Sequence, residues 1–193
     1  MMMNKRESYL TTNFNARSEE DGRLILEGYF IKYGVETELW PGFFELIEKS
    51  AVDKALGNKP DVRALFNHDS SLCLGRTGNK TLQLKSDNIG LFGVIEINSS
   101  DPDAVGVHAR VQRKDIDGCS FGFWENGYEI IERTDGTILK KVTEMELLEV
   151  SPCTFPAYPQ TEIAARQKNY EDYKKEALNI RKNILKEKLK NEK

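Results

Sequence analysis

Apolar and polar residues alternate in this chain in short runs, and glycine, proline or asparagine lies at or within a few residues of the end of each. A period of two suits strands, so this punctuation restricts the chain to a fold built from many short ones. Arg23–Tyr33 (RLILEGYFIKY) is rich in β-branched and aromatic residues and is bracketed by Gly22 and Gly34. Val62–Asn67 alternates and carries His68 at its end, and Leu72–Leu74 and Thr81–Leu84 read as short strands. Gly90 marks a turn before Leu91–Ile97, so Thr81–Ile97 reads as a hairpin. Cys119–Trp124 and Tyr128–Arg133 are further strands, and Asp135-Gly136 is a hairpin turn leading into Thr137–Val150.

Two segments break the strand period. Ser50 with Asp53 forms a capping box for a helix over 51–56, ended by Gly57 and Pro60. Ser100 caps a second helix, with Pro102 in its first turn, running to about Lys114. Ala104, Val107, His108 and Val111 fall on one face of it. The expected architecture is α+β and mostly β: a closed or nearly closed antiparallel barrel flanked by helices.

Three regions follow. Residues 1–22 read as an N-terminal arm, either loose or a peripheral first strand, and residues 23–165 form the main domain. Pro152, Pro156 and Pro159 impose an extended, irregular path near its end. Residues 166–193 form a tail in which Tyr170, Tyr173, Ala177, Ile180 and Ile184 lie along one helical seam. The net charge of −3 divides into a −8 body and a +5 tail. An acidic body argues against a nucleic-acid groove, so the tail reads as an amphipathic docking helix.

The residues able to carry chemistry are few. No run of about 18 apolar residues exists to cross a membrane. The three cysteines, an odd number, are widely spaced and fit a reducing compartment. With the two histidines they show no metal-binding spacing. No phosphate loop occurs either, so neither metal nor cofactor is expected.

In Gly118–Trp124, alternation sends Cys119, Phe121 and Phe123 to the core and Ser120, Gly122 and Trp124 to the other face. Gly122 then leaves room above the strand for a bound peptide. By spacing alone, Ser120 reads as an ordinary strand serine. His68, at a strand end, is well placed to project into a site, whereas His108 reads as a packed helix residue. Under strict alternation Glu149 shares a face with Met145, Leu147 and Ser151, where a buried carboxylate wants a donor such as a histidine N–H. Glu146, with Leu148 and Val150, answers the same argument.

Several segments occur together in one order. They are Glu27-Gly28-Tyr29, Phe44-Glu45-Leu46-Ile47, Leu65-Phe66-Asn67-His68-Asp69, Leu74-Gly75-Arg76-Thr77-Gly78 and Asp87-Asn88-Ile89-Gly90-Leu91. Asp117-Gly118-Cys119-Ser120-Phe121-Gly122-Phe123, Leu148-Glu149-Val150-Ser151 and Phe155-Pro156-Ala157-Tyr158-Pro159-Gln160-Thr161 follow. Over residues 23–165 this set resembles the prohead maturation serine proteases of tailed phages. The resemblance implies a fold related to the herpesvirus assembly proteases, a β-barrel surrounded by helices. It implies a catalytic histidine at His68 and a nucleophile at Ser120, with Cys119 the rival. In the herpesvirus relatives the third member is a histidine that follows the serine. No histidine follows Ser120 here, so an acidic residue is expected, with Glu149 in the family's Glu-Val-Ser segment and Glu146 or His108 as alternatives. The Leu74–Gly78 turn is a candidate source of oxyanion donors.

The implied substrates are the scaffolding segment of the major capsid protein and the protease itself, cleaved inside the procapsid in the host cytoplasm. The implied partners are that capsid protein and further copies of the chain, without membrane or nucleic acid. The tail would dock the protease to the assembling shell and be open to removal by self-cleavage. A catalytically inactive assembly factor of the same fold is the alternative function.

Overall fold

A computed structural model describes residues 5–10 and 14–154, all within the unit Met1–Ala157. Along them the chain runs β1 (Lys5–Leu10), β2 (Asn15–Ser18), β3 (Leu24–Lys32), β4 (Thr37–Trp40), β5 (Phe43–Ile47), α1 (Lys49–Gly57), β6 (Arg63–Phe66) and β7 (Asp69–Arg76). It continues through β8 (Leu82–Ser86), β9 (Gly90–Ile97), α2 (Pro102–Gln112), β10 (Gly118–Glu132) and β11 (Ile138–Cys153). The helical tail expected over 166–193, and the path through Pro156 and Pro159, lie outside the described residues.

The strands divide between two sheets. The smaller has the order β2-β3-β9-β8, and the larger follows β1-β10-β11-β5-β4, with β6 and β7 attached through β11. The expected closed barrel is not found, because neither sheet closes on itself among the described residues. The reason lies in β11, whose outer edge is shared. Ile138–Val142 pairs with β5 and Glu149–Val150 with β6, both parallel. Because α1 joins β5 to β6, the larger sheet forks at β11 instead of curling round. The parallel pairs also correct the expectation of a wholly antiparallel arrangement.

The β10–β11 hairpin is the backbone of that sheet. The two strands expected over 119–124 and 128–133 are one, because register shifts absorb the irregularity around Glu125, Gly127 and Tyr128. Arg133 and Thr137 close the hairpin, with Gly136 at φ +84 where a left-handed residue is required. Pro152 lies in β11 opposite Cys119, so the irregular path does not begin there.

Both helices form where expected, but their caps differ. Glu48 holds the N-cap position of α1 without a side-chain cap bond, so the Ser50–Asp53 box is not used. Asp101, not Ser100, caps α2 by accepting from the amides of Asp103 and Ala104. Helix α2 ends at Gln112. The two sheets and both helices share one apolar cluster. Leu26, Phe30, Leu91 and Ile95 enter it from the smaller sheet, and Phe121, Phe123, Leu147 and Val150 from the larger. Val52 of α1 and Val107 of α2 complete it.

Candidate active site

Cys119, Phe121 and Phe123 of β10 are fully buried in the core, as alternation requires. Ser120 and Gly122 therefore belong to the opposite face of the same strand. Their cross-strand partners on β11 are Ser151 and Glu149 respectively. Strict alternation would put Leu147 on the face of Glu149. A register shift at Gly122/Phe123 instead leaves Leu148 as an extra residue in β11. That bulge returns Met145 and Leu147 to the core with Val150, and leaves Glu149 and Ser151 on the face of Ser120.

Glu149 is almost completely buried, and its carboxylate lies over Gly122. A Cβ at position 122 would stand 2.3 Å from Glu149 Oε1. The room above Gly122 is thus taken by this side chain, not kept for a peptide. A carboxylate removed from water needs donors, and Glu149 has two. His68 Nδ1 lies 2.6 Å from Oε1, and Ser151 Oγ donates to Oε2 at 2.5 Å. A carboxylate can only accept, so the contact assigns the proton to Nδ1 and leaves Nε2 as the basic nitrogen. Nε2 lies 3.8 Å from Cys153 Sγ. The imidazole therefore reaches from Glu149 to Cys153, the two residues that flank Ser151 on this face of β11. Ser151 itself stands directly across from Ser120.

The imidazole arrives on a tight hairpin. Phe66 pairs with Asp69, and the two residues between them are left-handed, Asn67 at φ +51 and His68 at φ +62. This is the two-residue turn that suits twisted strands. Asparagine is at home in it, but a histidine in the left-handed region costs roughly 1 kcal/mol. The turn is clamped to the end of β11 by three bonds. Asn67 N donates to Pro152 O at 3.1 Å, its side-chain oxygen accepts from Thr154 N at 2.8 Å, and its amide nitrogen reaches Thr154 Oγ1 at 3.3 Å.

The other candidates lie elsewhere. Glu146 is exposed opposite Trp124. His108 is buried on α2 with Nε2 3.1 Å from Arg17 O. Cys119 is buried in the core and donates to Tyr29 O at 3.0 Å. Within the Leu74–Gly78 segment, three amides are committed. Arg76 N donates to Thr81 Oγ1, Thr77 N to Val62 O and Gly78 N to Asp61 Oδ1. Those three amides are spent on holding the loop, which removes them as oxyanion donors. Asn67 and Ser151 were missed as contributors. Spacing contained the signal for Ser151, which follows Glu149 by two residues and so shares its strand face.

A family description, Caudovirus prohead serine protease, matches residues 12–176. Among solved structures the chain is similar to the capsid assembly protease of bacteriophage T4, with a TM-score of 0.52 at 13% identity, covering 78% of this chain and 97% of that one. No curated protein sequence matches significantly.

Proposed function

The chain belongs to the Caudovirus prohead serine protease family, and from that premise we propose that Ser120 is its nucleophile, His68 its base and Glu149 the residue that orients the base. As a serine peptidase of that family it acts in capsid maturation, in the assembling procapsid. The observation that carries the residue assignment is the 2.6 Å contact between His68 Nδ1 and buried Glu149, held above the strand pair that bears Ser120.

The chemistry follows from these roles. A serine hydroxyl is a weak nucleophile until a base takes its proton. With Nδ1–H committed to Glu149, Nε2 receives the proton as Ser120 Oγ attacks the scissile carbonyl carbon. The C–O bond forms while the carbonyl π pair moves onto oxygen, giving a tetrahedral oxyanion. Collapse expels the amine, which leaves with the proton from Nε2. Water, deprotonated by the same nitrogen, then hydrolyses the acyl-serine. Glu149 keeps the productive tautomer and balances the imidazolium formed on the way.

The substrates in this reading are the scaffolding segment of the major capsid protein and the protease itself. Its setting is the procapsid in the host cytoplasm, and its partners include other copies of the chain. Residues 166–193, carrying +5 against the −8 body, dock the protease to the shell and are removable by self-cleavage. A serine-directed fluorophosphonate tests the site directly. Labelling at Ser120 that disappears in Ser120→Ala and His68→Ala supports the assignment, and undiminished labelling of either variant contradicts it.

A further inference from the structure

We propose that Ser151 is a positioning residue: its hydroxyl holds one oxygen of Glu149 so that the other is delivered to His68. This inference rests on the assignment of Glu149 as the residue that orients the base. Glutamate has three side-chain torsions, and a single contact with an imidazole leaves its carboxylate free to rotate. Two contacts define its plane. Ser151 Oγ occupies Oε2 at 2.5 Å while His68 Nδ1 occupies Oε1 at 2.6 Å. Ser151 is fully buried and Glu149 nearly so, which shuts water out as a substitute donor. Gly122 bounds the same carboxylate from below, because any Cβ there would meet Oε1.

Position adds a second role. Ser151 is the cross-strand neighbour of Ser120, so two hydroxyl-bearing residues face each other across the strand pair that carries Glu149. Cβ atoms of such a pair are about 5 Å apart. A hydroxyl that donates to Glu149 has its proton committed there. That proton is thereby withheld from Nε2, which in the mechanism above takes the proton of Ser120.

The test uses the full chain and a fluorophosphonate probe, so that no natural substrate need be known. Ser151→Ala should slow the saturating rate of labelling at Ser120 by about ten- to a hundredfold, the usual cost of losing such a supporting partner. The half-saturating probe concentration should stay within about twofold. The downfield proton resonance of the His68 Nδ1–H bond should shift or broaden in Ser151→Ala. Ser151→Thr, which restores a hydroxyl, should recover both readouts. Should the alanine variant fold poorly, Ser151→Cys keeps the volume with a weaker donor and is read the same way. Wild-type labelling with an unchanged resonance in the variant would overturn the inference. Labelling that persists in Ser120→Ala would instead overturn the assignment beneath it.

Discussion

Gly122 shows how much a site can depend on an absent side chain. The Glu149 carboxylate fills the space where a Cβ would sit, 2.3 Å from Oε1. Gly122→Ala must push that carboxylate away from His68. We expect turnover to fall at least tenfold, comparable to loss of a supporting contact, and kcat measured on a processed peptide is the check. Asp87 illustrates a residue whose work is structural. Its carboxylate accepts from the Gly90 amide, the Tyr29 hydroxyl and the Ile89 amide, which together hold it below its ordinary value of 3.8. A carboxylate depressed by folding stabilises the native state above its unfolded value and loses that contribution as pH falls through its folded value. Melting temperature should therefore drop more steeply below about pH 4 in the wild type than in Asp87→Asn. Parallel curves would show that Asp87 adds nothing. At this scale His68, Ser120 and Glu149 were legible only as members of an ordered set of motifs. Alternation found the face of Ser120, yet a period of two cannot register a bulge, and so it grouped Glu149 with Leu147.

Elements position the imidazole through one hairpin tip. The β6–β7 turn is left-handed at both central residues, and Asn67 ties it to Thr154 at the end of β11. Asn67→Gly preserves the backbone conformation and removes both side-chain ties. Turnover should fall while the melting temperature moves little, because glycine suits φ +51. Full activity would show that the turn holds His68 without its clamp. Asp101 offers the contrasting case. It caps α2, and Asp101→Ala should cost about 1 kcal/mol in denaturant unfolding with turnover at saturation unchanged. The helices were readable from spacing and breakers, but their caps were off by one or two residues, since several polar residues precede each first turn. Strands β4 and β5 are joined at Pro41-Gly42, between the paired residues Trp40 and Phe43. A turn signal marks a boundary without saying that its two sides are strands.

At the scale of the whole molecule, local pattern specified mostly strands with two helices over the body, residues 23–165. It could not specify which strand edges meet. The fork at β11, where β5 and β6 pair end to end along one edge, is a long-range choice made by packing. That choice replaced the expected barrel with two sheets around one core. The charge division between body and tail leads to a separate expectation: truncation before Arg166 leaves probe labelling intact and reduces incorporation into proheads. Equal incorporation would remove the docking role. The central claim, that Ser120 is the nucleophile of a capsid-maturing peptidase, is tested most directly by co-expression with the capsid protein and mass measurement of the products. The wild-type chain should yield a shortened capsid protein, and Ser120→Ala should leave it at full length, with cleavage reduced by about a thousandfold or more. Shortened capsid protein at wild-type rate in the Ser120→Ala culture would contradict the account.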